Sequence, residues 1–225
     1  MSTNAIATPR PLRKDAARNR ELLIAAAREV FASRGGEASL DEIAHHAGLG
    51  VGTAYRHFSN KHELIAAIID QELERFVGLA EHARAAADPW TGLLEFFEAV
   101  LEVQSTNQGL REVLTGASGN AEDDFEKRVM PPLEELLRRA QRDGQVREDA
   151  EPSDLGFIIL MLCTVSDVAG ATAPNLWHRY LPMVLDGLRP GASALGAPAL
   201  PAEQMQAAIR EHKQAYSRAI ARRDD

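Results

Sequence analysis

Apolar residues along this chain recur at three- and four-residue steps rather than at alternate positions, which is the period of a helix face and not of a strand. Leu22, Leu23, Ala26, Val30 and Phe31 form the first stripe, running from about Asn19 to Gly35-Gly36, where paired glycines end a helix. Ser39-Leu40-Asp41-Glu42 has the S-x-x-E spacing of a capping box, so a short helix starts there with Leu40, Ile43 and Ala44 turned inward. Gly48-Leu49-Gly50 closes it, and a second short helix follows from Val51 to about Phe58. Asn60-x-x-Glu63 opens a long amphipathic helix with Leu64, Ile65, Ile68, Leu73 and Phe76 on one face, reaching about Ala87.

After "ADP" the pattern restarts at Trp90, with Leu93, Leu94, Phe97, Val100, Leu101 and Gln104 on one helix face. A shorter segment near Leu110–Thr115 precedes a Gly/Ser/Asn loop at 116–120. The next helix runs from about Glu122 to Arg142, and Pro131-Pro132 should kink or divide it, because proline removes a backbone donor and clashes with the preceding turn. Pro152 suits the first turn of the apolar helix "LGFIILMLCTVSDVAG". Pro174-Asn175 opens another, carrying Leu176, Trp177, Tyr180, Met183, Val184 and Leu188, with a bend expected at Pro182. Residues 189–203 read as a Pro/Gly/Ala linker, and 204–225 as a C-terminal amphipathic helix whose stripe is Met205, Ala208, Ile209, His212, Tyr216, Ala219 and Ile220. Valine, isoleucine and threonine never gather into alternating runs, so the fold class is all-α. The expected organisation is a flexible basic arm over 1–18, where Pro9 and Pro11 oppose an early helix, a three-helix unit over 19–63 and a larger helical domain over 64–188.

Charge changes the picture more than composition does. The 225 residues carry a net charge of −8, which argues against a polyanionic partner, yet residues 1–61 sum to +3 and the remainder to −11. A positive end can meet phosphate while an acidic body stays clear of it. The single Cys163 lies in an apolar run and excludes an intrachain disulfide framework. The N-terminus lacks the apolar core of a secretory signal, and the longest apolar run, Phe157 to Val165, is nine residues, against the ~20 of a membrane helix. A cytoplasmic protein is expected. No G-x-S-x-G, H-E-x-x-H, P-loop or dinucleotide fingerprint occurs, so neither an enzyme nor a cofactor is expected. His45 and His46 face different directions on one helix and have no ligand set at metal spacing, so no metal is expected either.

The stretch "GLGVGTAYRHFSNK" then has a physical reading. Two short helices joined by a glycine-containing turn and braced by a third make a helix-turn-helix, whose second helix enters the major groove. Small residues at Gly50, Gly52 and Ala54 let the backbone approach a duplex, and Val51 is expected at the DNA-facing start of the same helix; Thr53 suits a thymine methyl or a phosphate. Tyr55, Arg56 and His57 suit phosphates, as do Lys61 and the helix N-terminal amides near Ser39. Phe58 is expected to face inward. The alternative is a protein–protein module with a helix-turn-helix that no longer reads DNA.

Residues 18–68 resemble the DNA-binding domain of the TetR family of one-component transcriptional regulators. The resemblance is carried by Leu22 to Ala27, by Phe31 with Gly35, by Ser39 to Ala44, by Ala47-Gly48, and by Gly52-Thr53-Ala54-Tyr55-Arg56-His57-Phe58 through Lys61 and Leu64. Gly50 stands where the family often has Ser or Thr, and Val51 where it often has a polar residue. The resemblance implies a homodimer that represses from a palindromic operator, and a small-molecule effector bound in the C-terminal domain. Trp90, Phe97, Val100, Gln104, Phe125, Met161, Thr164 and Trp177 are the expected effector-pocket residues. Phe157, Leu160, Val168, Tyr180, Met183 and Val184 are the expected dimer-interface residues, with Met161 and Thr164 candidates for either role.

Overall fold

The computed structural model describes residues 10–106, 121–191, 193–201, 203–205, 207, 208 and 211, and every regular element among them is helical. The expected segment at 110–115, the loop at 116–120 and most of 204–225 lie outside the described residues.

The N-terminal head is built from α1 (Arg10–Arg34), α2 (Leu40–His46), α3 (Val51–His57) and the start of α4 (Lys61–Ala85). Helix α1 begins earlier than its apolar stripe. Pro11 falls in the first turn, where no intrahelical donor is lost, so the proline expected to oppose a helix is accommodated. From Arg10 onward the expected flexible arm is therefore helical. The buried face of α1 is Leu23, Ile24, Ala27, Val30 and Phe31, while Leu22, expected inside, is 38% exposed. These residues pack with Leu40, Ile43, Ala44, Ala54, Phe58, Leu64 and Ile68 into one core.

The body continues through the rest of α4, α5 (Pro89–Thr106), α6 (Ala121–Arg128), α7 (Met130–Arg142), α8 (Pro152–Ala169) and α9 (Trp177–Asp186). The prolines at 131 and 132 divide one apolar pattern into α6 and α7, and both sit in the opening turn of α7. Pro152 opens α8 as expected, whereas α9 starts only at Trp177, the residues after Pro174 forming turns. Pro182 lies inside α9. The core joins Phe97, Leu101, Leu133, Leu136, Leu137, Leu162, Trp177 and Leu181. Each such side chain contributes about 1.5–3 kcal/mol relative to exposure. Helix α8 is, by length and composition alone, apolar enough to cross a bilayer, a longer apolar element than its nine-residue run implied. Its Leu155, Ile158 and Leu162 are instead spent on the body core, where Cys163 is also buried.

Helix α4 belongs to both units. Leu64, Ile65, Ala67 and Ile68 complete the head core, and Leu73, Ala80 and Ala83 the body core, so the boundary expected at 63/64 falls inside the head's packing. Arg28 of α1 pairs with Glu72 and donates to Gln71 Oε1 at 3.3 Å, while Gln71 Nε2 donates to Glu21 Oε2 at 2.9 Å. A polar clamp thus fixes α1 against the middle of α4. At the other end of α4, α5 approaches so closely that a Cβ at Gly92 would lie 2.5 Å from the Ala83 carbonyl oxygen. The Arg139 guanidinium donates to the carbonyls of Arg84 and Ala86, satisfying acceptors that the end of α4 leaves open. Asp88 caps α5 by accepting from Thr91 N–H at 2.9 Å, and the Thr91 and Gln145 side-chain hydrogen bonds hold its carboxyl down to about 2.

Candidate nucleic-acid interface

The capping box at Ser39 forms as the spacing predicts: Ser39 Oγ accepts from the Glu42 N–H at 3.2 Å and Glu42 Oε2 accepts from the Ser39 N–H at 2.8 Å. These bonds keep the Glu42 carboxyl below its usual range. Helix α2 ends at Gly48, whose φ of 67° is the left-handed conformation that favours glycine. The amide of Leu49 donates back to the Ala44 carbonyl at 2.9 Å, turning the chain at once into α3. Gly50 is the N-cap of α3 with no side-chain cap, so its carbonyl alone receives Thr53 N–H at 2.8 Å.

Helix α3 divides cleanly. Ala54 and Phe58 are buried and lock it to the head core; Val51 packs against that core as well. Val51 is thus a packing residue in this structure, which accounts for an apolar side chain there. Gly52 is exposed, and a Cβ there would meet nothing within 4 Å, leaving an open approach to the backbone. Tyr55, 49% exposed, and Arg56 also face solvent, with Thr53 and His57 half-buried beside them. Arg56 folds back along its helix, Nε donating to Gly52 O at 3.1 Å. The Tyr55 hydroxyl bonds the Asp41 carboxylate on α2, and that bond, with the carboxylate's charge, raises the phenol pKa. Asp41 has no local signal in the sequence, because it lies fourteen positions before Tyr55 on the preceding helix.

Lys61 is half-buried and its Nζ donates to the Gly36 carbonyl at 2.7 Å, bracing the start of α4 against the turn after α1. Two of its three donors remain for other partners. Asn60 caps α4 through Glu63 N–H at 3.0 Å. Arg20 lies 5.3 Å over the Phe58 ring, so part of the basic charge of α1 is held beside α3. His46 Nε2 lies 2.7 Å from Glu29 Oε2, and His45 Nδ1 2.7 Å from Asp41 O; the two rings have separate partners.

The residues expected to bind an effector do not form one set. Phe97, Val100 and Trp177 meet in the body core. Trp90 and Gln104 sit near opposite ends of α5, roughly 21 Å apart at a helical rise. Trp90 is covered by the Arg189 guanidinium at 3.4 Å, and Phe125 packs edge-on to Phe76 at 6.1 Å. Met161 is 52% exposed and Thr164 is exposed with its hydroxyl donating to Leu160 O at 2.9 Å, so neither joins that core. They lie with Phe157 and Val168 on the outward stripe of α8, at i, i+4, i+7 and i+11. Tyr180 and Met183 are exposed on α9, Leu160 is half-buried, and Val184 is drawn partly into the core.

Two short helices joined at Gly48 and braced by α1 and α4 define a helix-turn-helix protein. Residues 23–68 match the family model of bacterial regulatory proteins of the tetR family, and residues 88–190 that of the C-terminal domain of SbtR-like transcriptional regulators. A TetR transcription regulatory protein from Mycobacterium vanbaalenii is 33% identical, with a TM-score of 0.59 over 80% of this chain and 99% of its own. SmeT, the repressor of a Stenotrophomonas maltophilia multidrug efflux pump, is 25% identical, with a TM-score of 0.60 over 83% of this chain and 98% of its own. An HTH-type transcriptional regulator of Staphylococcus aureus is 33% identical over 92 residues, which are 40% of this chain and 48% of that relative, so the chain spans about half its length. The chain belongs to the TetR family of transcriptional regulators and carries the family's DNA-binding helix-turn-helix. The C-terminal assignment had no legible motif in the sequence.

Proposed function

We propose that the protein is a dimeric repressor that binds a palindromic operator in the cytoplasm and is released by a small molecule held in the body. The observation that carries this reading is the exposed edge of α3: Gly52, Tyr55 and Arg56 turned outward from a helix whose other side is locked by Ala54 and Phe58. Gly52 and Thr53 meet base edges; Tyr55, His57 and Lys61, with the amides near Ser39, meet phosphates. Two such heads occupy successive major grooves when they sit ~34–36 Å apart or at a multiple of that distance. The Arg28–Glu72 clamp transmits changes in the body to the head spacing, since α4 is common to both cores.

The test is binding to duplexes selected from a random library, with wild type and Thr53→Ala. Wild type should enrich a palindrome, and Thr53→Ala should alter base preference at one position per half-site, changing discrimination there by roughly 5–100-fold. Equal losses on every sequence would make Thr53 a backbone contact.

Trp177 supports the effector reading. Its side chain is 1% exposed, yet its Nε1–H has no hydrogen-bond partner among the described residues. A buried donor of this kind favours a ligand with an acceptor oxygen or nitrogen, because leaving it unpaired costs about 1–3 kcal/mol. SmeT has been solved in complex with triclosan, a protein 25% identical to this one. Trp177→Phe keeps the apolar body and removes the donor. Triclosan titrated into the operator complex should release wild type, and the variant should require about tenfold more at unchanged thermal stability. Equal sensitivity of the two proteins would remove Trp177 from the effector site.

A further inference from the structure

The chain continues past the C-terminal family domain, which ends at residue 190, and the continuation is tied down at two places. The first is Arg147. Its Nη1 donates to Gly187 O at 3.2 Å, its Nη2 to Ser193 O at 2.8 Å, and its backbone N–H to Leu188 O at 2.9 Å. Asp149 pairs with the same guanidinium. The second is Met205, only 5% exposed, seated on α8 where Gly156 leaves a notch. A Cβ at Gly156 would stand 3.1 Å from the Met205 sulfur, so that place on α8 is shaped to receive it. The described residues of 189–203, expected as a Pro/Gly/Ala linker, lead from the first of these contacts to the second.

The position of the second anchor matters. At about 100° per residue, Gly156 falls on the flank of α8 between its buried stripe, Leu155, Ile158 and Leu162, and its outward stripe, Phe157, Met161, Thr164 and Val168. Met205 therefore borders the exposed apolar face of the body. It is also the first member of the apolar stripe that the sequence carries at helical spacing through Ala208, Ile209, His212, Tyr216, Ala219 and Ile220.

We infer that the C-terminal extension is a strap anchored by Arg147 and by Met205 in the Gly156 notch, and that it forms one edge of the surface through which α8 and α9 meet a second copy of this chain. The inference rests on the reading of the α8/α9 face as the self-association surface. The strap seats Met205 beside that face, on the flank of α8 at Gly156.

The experiment uses the full chain with Met205→Ala, and with Gly156→Leu, which fills the notch from the other side. Elastase cleavage within 189–203 reports docking of the strap, and sedimentation over a dilution series reports self-association. Both variants should be cut at least about tenfold faster and should dissociate at roughly tenfold higher protein concentration than wild type, as expected when an interface anchor is lost. Unchanged cleavage overturns the docking. Faster cleavage with unchanged dissociation overturns the part assigned to the strap in self-association. Val168→Glu in parallel separates the two readings: if it leaves the dimer intact, the self-association surface lies elsewhere, while the cleavage rates still report whether the strap is docked.

Discussion

Val168→Glu, combined with Met183→Glu, should convert the protein to a monomer and lower operator affinity by about 10²–10⁴-fold, the loss expected when two linked binding events become one. Val168 is 85% exposed and Met183 63% exposed, with Met161 at 52% and Tyr180 at 36% on the same two helices. These are the apolar side chains that a subunit interface built from α8 and α9 would cover. In a two-fold assembly each substitution would enter the interface twice, once from each protomer. Burying an unpaired carboxylate costs more than the interface gains from one aliphatic contact. The single chain should fold unchanged, because neither side chain belongs to the body core. Sedimentation and operator binding, measured on the same preparation, check the prediction. A variant that remains dimeric with full affinity would place the subunit contact on another surface.

Tyr55→Ala should weaken binding about tenfold on every duplex and lower the salt slope by about one, as expected for a lost phosphate contact. Its hydroxyl has the Asp41 carboxylate as a neighbour, and Tyr55→Phe separates the parts of the effect. If the hydroxyl itself reaches phosphate, Phe should behave like Ala; if the ring only packs against the backbone, Phe should bind like wild type. The raised pKa keeps the phenol neutral well above physiological pH. Tyr55 therefore adds no pH dependence to DNA binding between pH 6 and 9, and a titration of affinity across that range should show none that Tyr55→Phe removes. A loss confined to particular sequences would make Tyr55 a base-reading residue.

Much of the helix-turn-helix could be read from the sequence alone. The capping boxes at Ser39 and Asn60 act between residues three apart, and the glycine at 48 and the inward Phe58 follow from helix period and turn chemistry. These are local rules, and they hold because the groups concerned cannot avoid meeting. The division at Pro131-Pro132 is of the same kind. Pro11 went the other way because proline is excluded from the interior of a helix and tolerated in its first turn, and the sequence pattern did not say which turn it occupied.

The body was less legible. Phe97, Met161 and Trp177 are all large and apolar and all recur at helical spacing, yet Phe97 and Trp177 are buried together and Met161 faces outward. Periodicity within one helix cannot say which neighbour covers which face. The same limit hid Asp41 beneath Tyr55, Arg28 against Glu72 and Met205 over Gly156, contacts between residues 14, 44 and 49 positions apart. By itself the sequence determined most of the helices and their caps, since those depend on interactions within a few residues. Only the tertiary structure decided which apolar side chains became core and which were left as a surface, because burial depends on how separate helices pack, and that is not encoded in any single stretch of chain.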